Sequence, residues 1–217
     1  MAINRTENYA PENDEFTTEA LAARPSQSST NAIGAGWDAA EIKASDFPQE
    51  FKFVDGTIQI VKFIDEDGPF AVYRQHFLTQ KTEGKRSYVS LGANDPLCTK
   101  LGSKPEEKRA FTIINLSAPG MPRQMLIAST RLFKTLHAAH FSPQGPLNKS
   151  YWALSRTGKM QTTMYHVNPV KGRDLQEDWS INEEEANKAV ASAVPFTRAD
   201  IKEPTWEELE AVAASLS

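Results

Sequence analysis

From Phe47 to about Val170 the apolar residues come in short runs, several of them alternating with polar ones, and turn-forming residues bound each run. That pattern predicts β-strands. Thr57–Ile64 follows Asp55-Gly56 and stops at Asp65-Glu66-Asp67-Gly68-Pro69, after which Phe70–Thr79 returns, so the two read as an antiparallel hairpin. Further strands are predicted over Arg86–Leu91, Ala110–Leu116 and Met125–Ile127. Tyr151–Arg156 and Gln161–Val167 form a second hairpin about Thr157-Gly158-Lys159. One segment has the helical period instead: Leu132, Phe133, Leu136 and Ala139 share a face between Thr130 and His140, with Ser129 placed as N-cap. Strands and helices do not alternate regularly, so the expected fold is mainly β, an OB-like small β-barrel with one internal helix.

The flanks are different. Residues 1–46 are dominated by Asn, Glu, Thr, Ser and Ala and predict a disordered, flexible arm, with Phe16, Ile33 and Trp37 as spare apolar groups. Residues 176–217 predict an acidic helical tail: Asn182–Ala193 is rich in Ala and Glu, Pro195 and Pro204 interrupt the pattern, and Thr205 with Glu208 forms a capping box for a last helix. Three parts follow: an arm over 1–46, a barrel over 47–175 and a tail over 176–217. No run approaches the roughly 20 apolar residues of a membrane span, and the start lacks a signal-peptide h-region, so a soluble cytoplasmic protein without membrane contact is expected.

Charge sharpens this division. The chain of 217 residues has a net charge of -4, but residues 51–173 carry 18 Lys and Arg against 8 Asp and Glu, while 1–50 carry 3 against 9 and 174–217 carry 3 against 11. A basic middle between acidic ends selects a polyanionic partner. The same middle holds 13 of the 20 aromatic residues. Cations beside rings are what a single-stranded nucleic acid requires, because phosphates need a positive track and unstacked bases need aromatic faces. The candidate phosphate contacts are Lys62, Arg74, Lys85, Arg86, Arg156 and Lys159, and the candidate stacking residues are Tyr73, Phe77, Tyr88 and Trp152. Alternation places Tyr73 and Phe77 on one face and Arg74 and His76 on the other, without saying which face is wet. An anionic tail tethered near such a groove would compete with nucleic acid for it, or recruit partner proteins.

Catalytic chemistry finds little support. Cys98 is the only cysteine and has no base near it in sequence, no Gly-rich phosphate loop occurs, and Asp65-Glu66-Asp67 reads as a turn. Structural zinc needs four N or S ligands, and between Gln75 and Gly102 only His76 and Cys98 qualify, so neither metal nor other cofactor is expected.

The succession Gln75-His76-Phe77, Arg86-Ser87-Tyr88-Val89, Pro96-Leu97-Cys98, Leu101-Gly102-Ser103-Lys104-Pro105, Phe111–Leu116, Leu154-Ser155-Arg156-Thr157-Gly158 and Arg173-Asp174-Leu175 resembles the single-stranded-DNA-binding proteins of tailed bacteriophages that infect actinobacteria. These are similar in turn to OB-fold replication proteins of other phages. The resemblance covers about residues 47–180. It implies sequence-independent binding of single-stranded DNA in phage replication, recombination and repair in the host cytoplasm, with the acidic tail contacting phage or host replication proteins. It also implies a zinc loop with one His and three Cys. His76 and Cys98 stand at two of those positions, but Ser90 and Asp95 stand at the others, so the loop is expected to be degenerate. The alternative is a virion structural or assembly protein using the barrel as an interaction module.

Overall fold

The computed structural model describes residues 48–159 and 162–216; the arm expected over 1–46 lies outside them. The strands are β1 (Gln59–Phe63), β2 (Ala71–Phe77), β3 (Ser87–Val89), β4 (Glu106–Asn115), β5 (Arg123–Ala128), β6 (Tyr151–Thr157) and β7 (Met164–Val170). The helices are α1 (Pro96–Leu101), α2 (Thr130–His140), α3 (Gly172–Trp179), α4 (Glu183–Ser192) and α5 (Trp206–Leu216). None of the helices is long and apolar enough to cross a membrane.

All seven strands join one antiparallel sheet in the order β3-β2-β4-β1-β6-β7, with β5 on the other edge of β4. Mainly β with an internal helix is therefore correct. The OB-like barrel is not confirmed: the seven strands form a sheet that does not close, with β3 and β7 at the ends of its strand order.

The first expected hairpin is also absent. β1 and β2 do not pair with each other, because ten-residue β4 is long enough to serve both along one edge: β2 runs from Ala71 opposite Ala110 to Gln75 opposite Glu106, and β1 from Phe63 opposite Ile113 to Val61 opposite Asn115. The acidic link 65–69 carries the chain from one to the other rather than turning it back. At the junction Thr112 has neither strand beside it. Its carbonyl accepts from the Ile64 amide, and its own amide donates to the Asp65 carboxylate at 2.5 Å. The second hairpin forms as expected, with Tyr151 opposite Val170 through Thr157 opposite Met164.

Alternation gives the sheet two apolar faces. On one, Val61, Phe63, Phe111, Ile113, Leu126, Trp152 and Leu154 pack with Leu132 and Leu136 of α2. Ser129 caps that helix as expected, accepting from the Leu132 amide. On the other face Ile60, Ile114, Leu116, Tyr151 and Ala153 are covered by Leu175, Ile181 and Ala186 from α3, its following turn and α4. Phe196 closes over Ala71, Ala110 and Met125, and its amide donates to the Thr112 hydroxyl at 2.9 Å. Leu209 and Ala213 of α5 pack on Leu78, Tyr88 and Leu97. The described residues thus form one compact unit, and the acidic segment is a cover for apolar surface rather than a tethered tail. The expected capping box forms, Thr205 and Glu208 exchanging its two bonds, and Asn182, not named as a cap from sequence, caps α4 by accepting from the Glu184 and Glu185 amides at 2.9 and 3.2 Å.

Burial pushes the Asp65 carboxyl up from 3.8 to about 6, against the pull of its bonds from Thr112. The native state then holds this proton more tightly than the unfolded chain, so the group's contribution to stability declines as pH rises from about 4 through about 6 and is level above. Asp65→Asn keeps an acceptor for the Thr112 amide and removes the buried charge. It is expected to abolish that decline and to raise stability at pH 7 by about 1 kcal/mol, less than full linkage would give because the side chain is partly in water. Urea unfolding at pH 4.5 and pH 7 measures both effects.

Candidate nucleic-acid interface

A groove with a volume of about 820 Å³ opens where the chain before β1 passes the ends of β2, β4 and β6. Four aromatic residues line it: Phe53, Phe77 and Tyr165, with buried Phe51 behind them. Phe53 and Tyr165 have ring centroids 5.2 Å apart, and Phe51 meets Phe53 edge to face at 5.2 Å, so a short aromatic run leads from the core into the groove. Phe77 is 56% exposed, which for a ring of that size leaves one broad face to solvent. The Arg86 guanidinium lies 4.8 Å from its centroid and is itself held by bonds to the carbonyls of Leu78 and Thr79. A ring fixed by a cation on one side and wet on the other is built to accept a flat group.

Three cations also line the groove: Lys52, Lys108 and Arg156. Two are held by carboxylates, Lys108 by Glu106 at 2.8 Å and Arg156 by Asp55 at 3.2 Å. In both pairs the carboxylate is exposed to water, which keeps the pair weak enough to be exchanged for phosphate. The Arg156 Nε is buried without a hydrogen-bond partner, a donor reserve that an anion could use.

A recess of about 340 Å³ shares Glu50, Gln75, Ser87 and Ile127 with the groove and extends the path along β2 to Tyr73 and Lys85. Burial, then the nearby Glu50 charge, pushes the Tyr73 hydroxyl up to about 12, so it remains a neutral hydrogen-bond donor at any physiological pH.

The expected contacts divide as follows. Phe77 and Arg156 line the groove, Arg86 braces Phe77, and Tyr73 and Lys85 line the recess. Arg74 is exposed but projects from the opposite face of β2, and Lys159 is exposed in the β6–β7 turn, away from the groove lining. Three expectations are corrected. Trp152 is 1% exposed and donates its indole N–H to the Leu147 carbonyl; it is core. Tyr88 is buried against α1 and α5, with its hydroxyl donating to the Lys85 carbonyl and accepting from Lys81. Lys62 alternates onto the covered face, where it sits 4.9 Å from the Tyr151 ring and burial lowers its pKa. Lys52, Phe53, Lys108 and Tyr165 were not singled out from sequence. Lys108 lies in a stretch read as loop that is the first half of β4, and Lys52-Phe53 precedes the first predicted strand.

Beside the groove's β2–β3 end the four positions of the expected degenerate zinc loop do converge. The donor atoms of His76, Asp95 and Cys98 lie within 4.8 Å of one another. Asp95 Oδ2 accepts from the Ser90 hydroxyl at 2.7 Å and the Leu91 amide at 3.2 Å and lies 2.9 Å from His76 Nε2, while Oδ1 accepts from the Cys98 amide at 2.8 Å. His76 Nδ1 is 2.9 Å from the Ser103 hydroxyl. Burial raises the Asp95 carboxyl, but the bonds from Ser90, Cys98 and His76 outweigh it and hold the group at about 2. Burial, then Asp95, pushes the Cys98 thiol up. His76 and Asp95 also sit closer than the ~3.3 Å that separates two ligands about 2 Å from one tetrahedral ion. The residues present do not fit zinc; they form a hydrogen-bonded knot in the place the resemblance assigns to it.

Comparison of the chain with protein-family models, with curated proteins and with solved structures finds no match.

Proposed function

We propose that this protein binds single-stranded nucleic acid without sequence preference and without catalysis, seating it in the groove between Phe53, Phe77 and Tyr165. The observation that carries the reading is Phe77: a large ring, mostly exposed, braced by Arg86 at the mouth of a groove whose walls supply Lys52, Lys108 and Arg156. Bases stack on the rings and phosphates replace Asp55 and Glu106 as partners of the cations. Stacking and phosphate contacts are available to every base alike, so discrimination among sequences is weak. An antiparallel sheet with α2 packed on one face supports an OB-like reading of the architecture, and the phage family that the sequence resembles places the activity in DNA replication, recombination and repair in the host cytoplasm.

Anisotropy of a labelled 20-nucleotide oligo(dT) tests this. Five groove and recess cations, Lys52, Lys85, Lys108, Arg156 and Lys202, give an expected salt slope near -3.5, so affinity falls roughly 100-fold from 50 to 200 mM salt. Phe77→Ala, at an exposed site where folding is little affected, weakens binding about tenfold. An affinity indifferent to both salt and Phe77 refutes the proposal and favours a protein-interaction module.

A further inference from the structure

We infer that the solvent face of α2 is a second contact for the same single strand, and that the crevice beside Phe141 takes one unstacked base; this rests on the reading of the groove just given. The helix presents Arg131, Lys134, His137 and His140 and carries no carboxylate between Thr130 and His140. Its rings form a continuous series. The Arg109 guanidinium lies 4.2 Å from the Phe133 centroid, Phe133 is 5.7 Å from His137, and Phe141 is 4.7 Å from His137 and 4.8 Å from His140. A purely structural series would end in the core. This one ends at Phe141, 72% exposed, the most exposed large apolar side chain among the described residues.

Below Phe141 a crevice of about 160 Å³ runs between α2 and Gly68-Pro69, walled by Phe133, Leu136 and His137. It has room for one flat ring and is smaller than the ~300 Å³ at which drug-sized pockets begin. Two carboxylates lie near the series. Asp67 lines the crevice, where it can accept from a base N–H such as N3–H of an unpaired thymine, and Glu107 is already paired with Arg109 at 2.6 Å. Arg109 Nη1 is buried without a hydrogen-bond partner. A cationic helix with an exposed ring series suits a base and its phosphates better than an apolar protein segment, which would bring no negative charge to the helix.

The helix also connects the two sites: Ser129 and Leu132 border the groove at its start, and Leu136 and His137 border the crevice toward its end, with the whole helix spanning about 16 Å. A strand that only fills the groove does not reach the crevice; a longer one does.

The test compares the full chain, the double variant His137→Ala/Phe141→Ala and Phe77→Ala, each binding a 3-nucleotide oligo(dT), about 10 Å long when stacked and so too short to span both sites, and a 30-nucleotide one, with thermal melting confirming that the variants are folded. The double variant is expected to bind the 30-mer about tenfold more weakly and the 3-mer within twofold of the unaltered chain, while Phe77→Ala weakens both. If the double variant binds both oligonucleotides normally while Phe77→Ala weakens both, the second contact is wrong and the groove stands. An equal loss on both lengths also overturns it, since the helix would then serve the groove itself. If the unaltered chain binds neither, the groove reading and this inference fall together.

Discussion

Ending the chain at Lys171 is expected to leave no folded protein, as judged by far-UV circular dichroism and gel filtration, rather than a tighter nucleic-acid binder. The competing-tail mechanism predicts the opposite, so the experiment separates the two. The physical reason lies in what residues 172–216 cover. Leu175, Ile181 and Ala186 bury Ile60, Ile114, Leu116 and Tyr151; Phe196 buries Ala71 and Ala110; Leu209 and Ala213 bury Leu78 and Leu97. Fully burying a large apolar side chain is worth about 1.5–3 kcal/mol. Uncovering the six large groups among these, with two alanines besides, removes as much as the whole ~5–15 kcal/mol by which a domain of this size is stable. Specific bonds are lost too: the Phe196 amide to the Thr112 hydroxyl, the Tyr151 hydroxyl to the Asn187 side chain at 2.7 Å, and Arg123 to the Val194 carbonyl at 2.7 Å. A soluble, monomeric product with a native spectrum and increased affinity would restore the competing tail.

Asp95→Ala is expected to cost about 3–5 kcal/mol in urea unfolding, a severe loss for one substitution. One carboxylate receives the Ser90 hydroxyl and the amides of Leu91 and Cys98 and pairs with His76, which is 0% exposed. Removing it leaves buried donors without an acceptor and a buried imidazole without its partner, the costly way to break such a pair. The N-cap of α1 goes with it, since Asp95 is that cap. Because the folded carboxyl is held at about 2, below its ordinary 3.8, the stability it contributes is complete above about pH 5 and is lost as pH falls from 4 toward 2. The variant should therefore lose that part of its acid sensitivity along with the stability. Hydrogen exchange is expected to speed up first across 90–103, where the freed amides lie. A variant as stable as the parent at pH 7 would show that α5 alone holds α1 in place.

Elements whose pattern is local were legible in the sequence, and pairings that depend on distant chain were not. α2 with its Ser129 cap, α4 and the Thr205–Glu208 box all follow from spacing within a few residues. β1 and β2 look like a hairpin because they are neighbours in the chain. What separates them is the length of β4, whose first half reads as a polar loop through Glu106, Glu107, Lys108 and Arg109. The same limit governs the interface. Phe77 and Arg156 were identifiable by residue type, but Trp152 and Tyr88 belong to the same types and are buried, because alternation along a strand divides residues between two faces without naming the wet one. The acidic segment misled for a related reason. Its charges point outward, and the few apolar residues it spends on the sheet are spaced across three helices and a loop, too sparse to register in its composition.

The separation of β1 from β2 carries a consequence for how the chain is made. β1 finds its second neighbour only in β6, Val61 opposite Trp152, so at ribosomal speeds of ~5–20 residues per second it waits roughly 5–20 s for that strand to emerge, and longer for the helices that shield its outer side. During that interval Ile60, Val61 and Phe63 are unprotected on a nascent chain. Synthesis rate and holding chaperones, more than the strength of any one contact, should then govern how much functional protein a cell recovers.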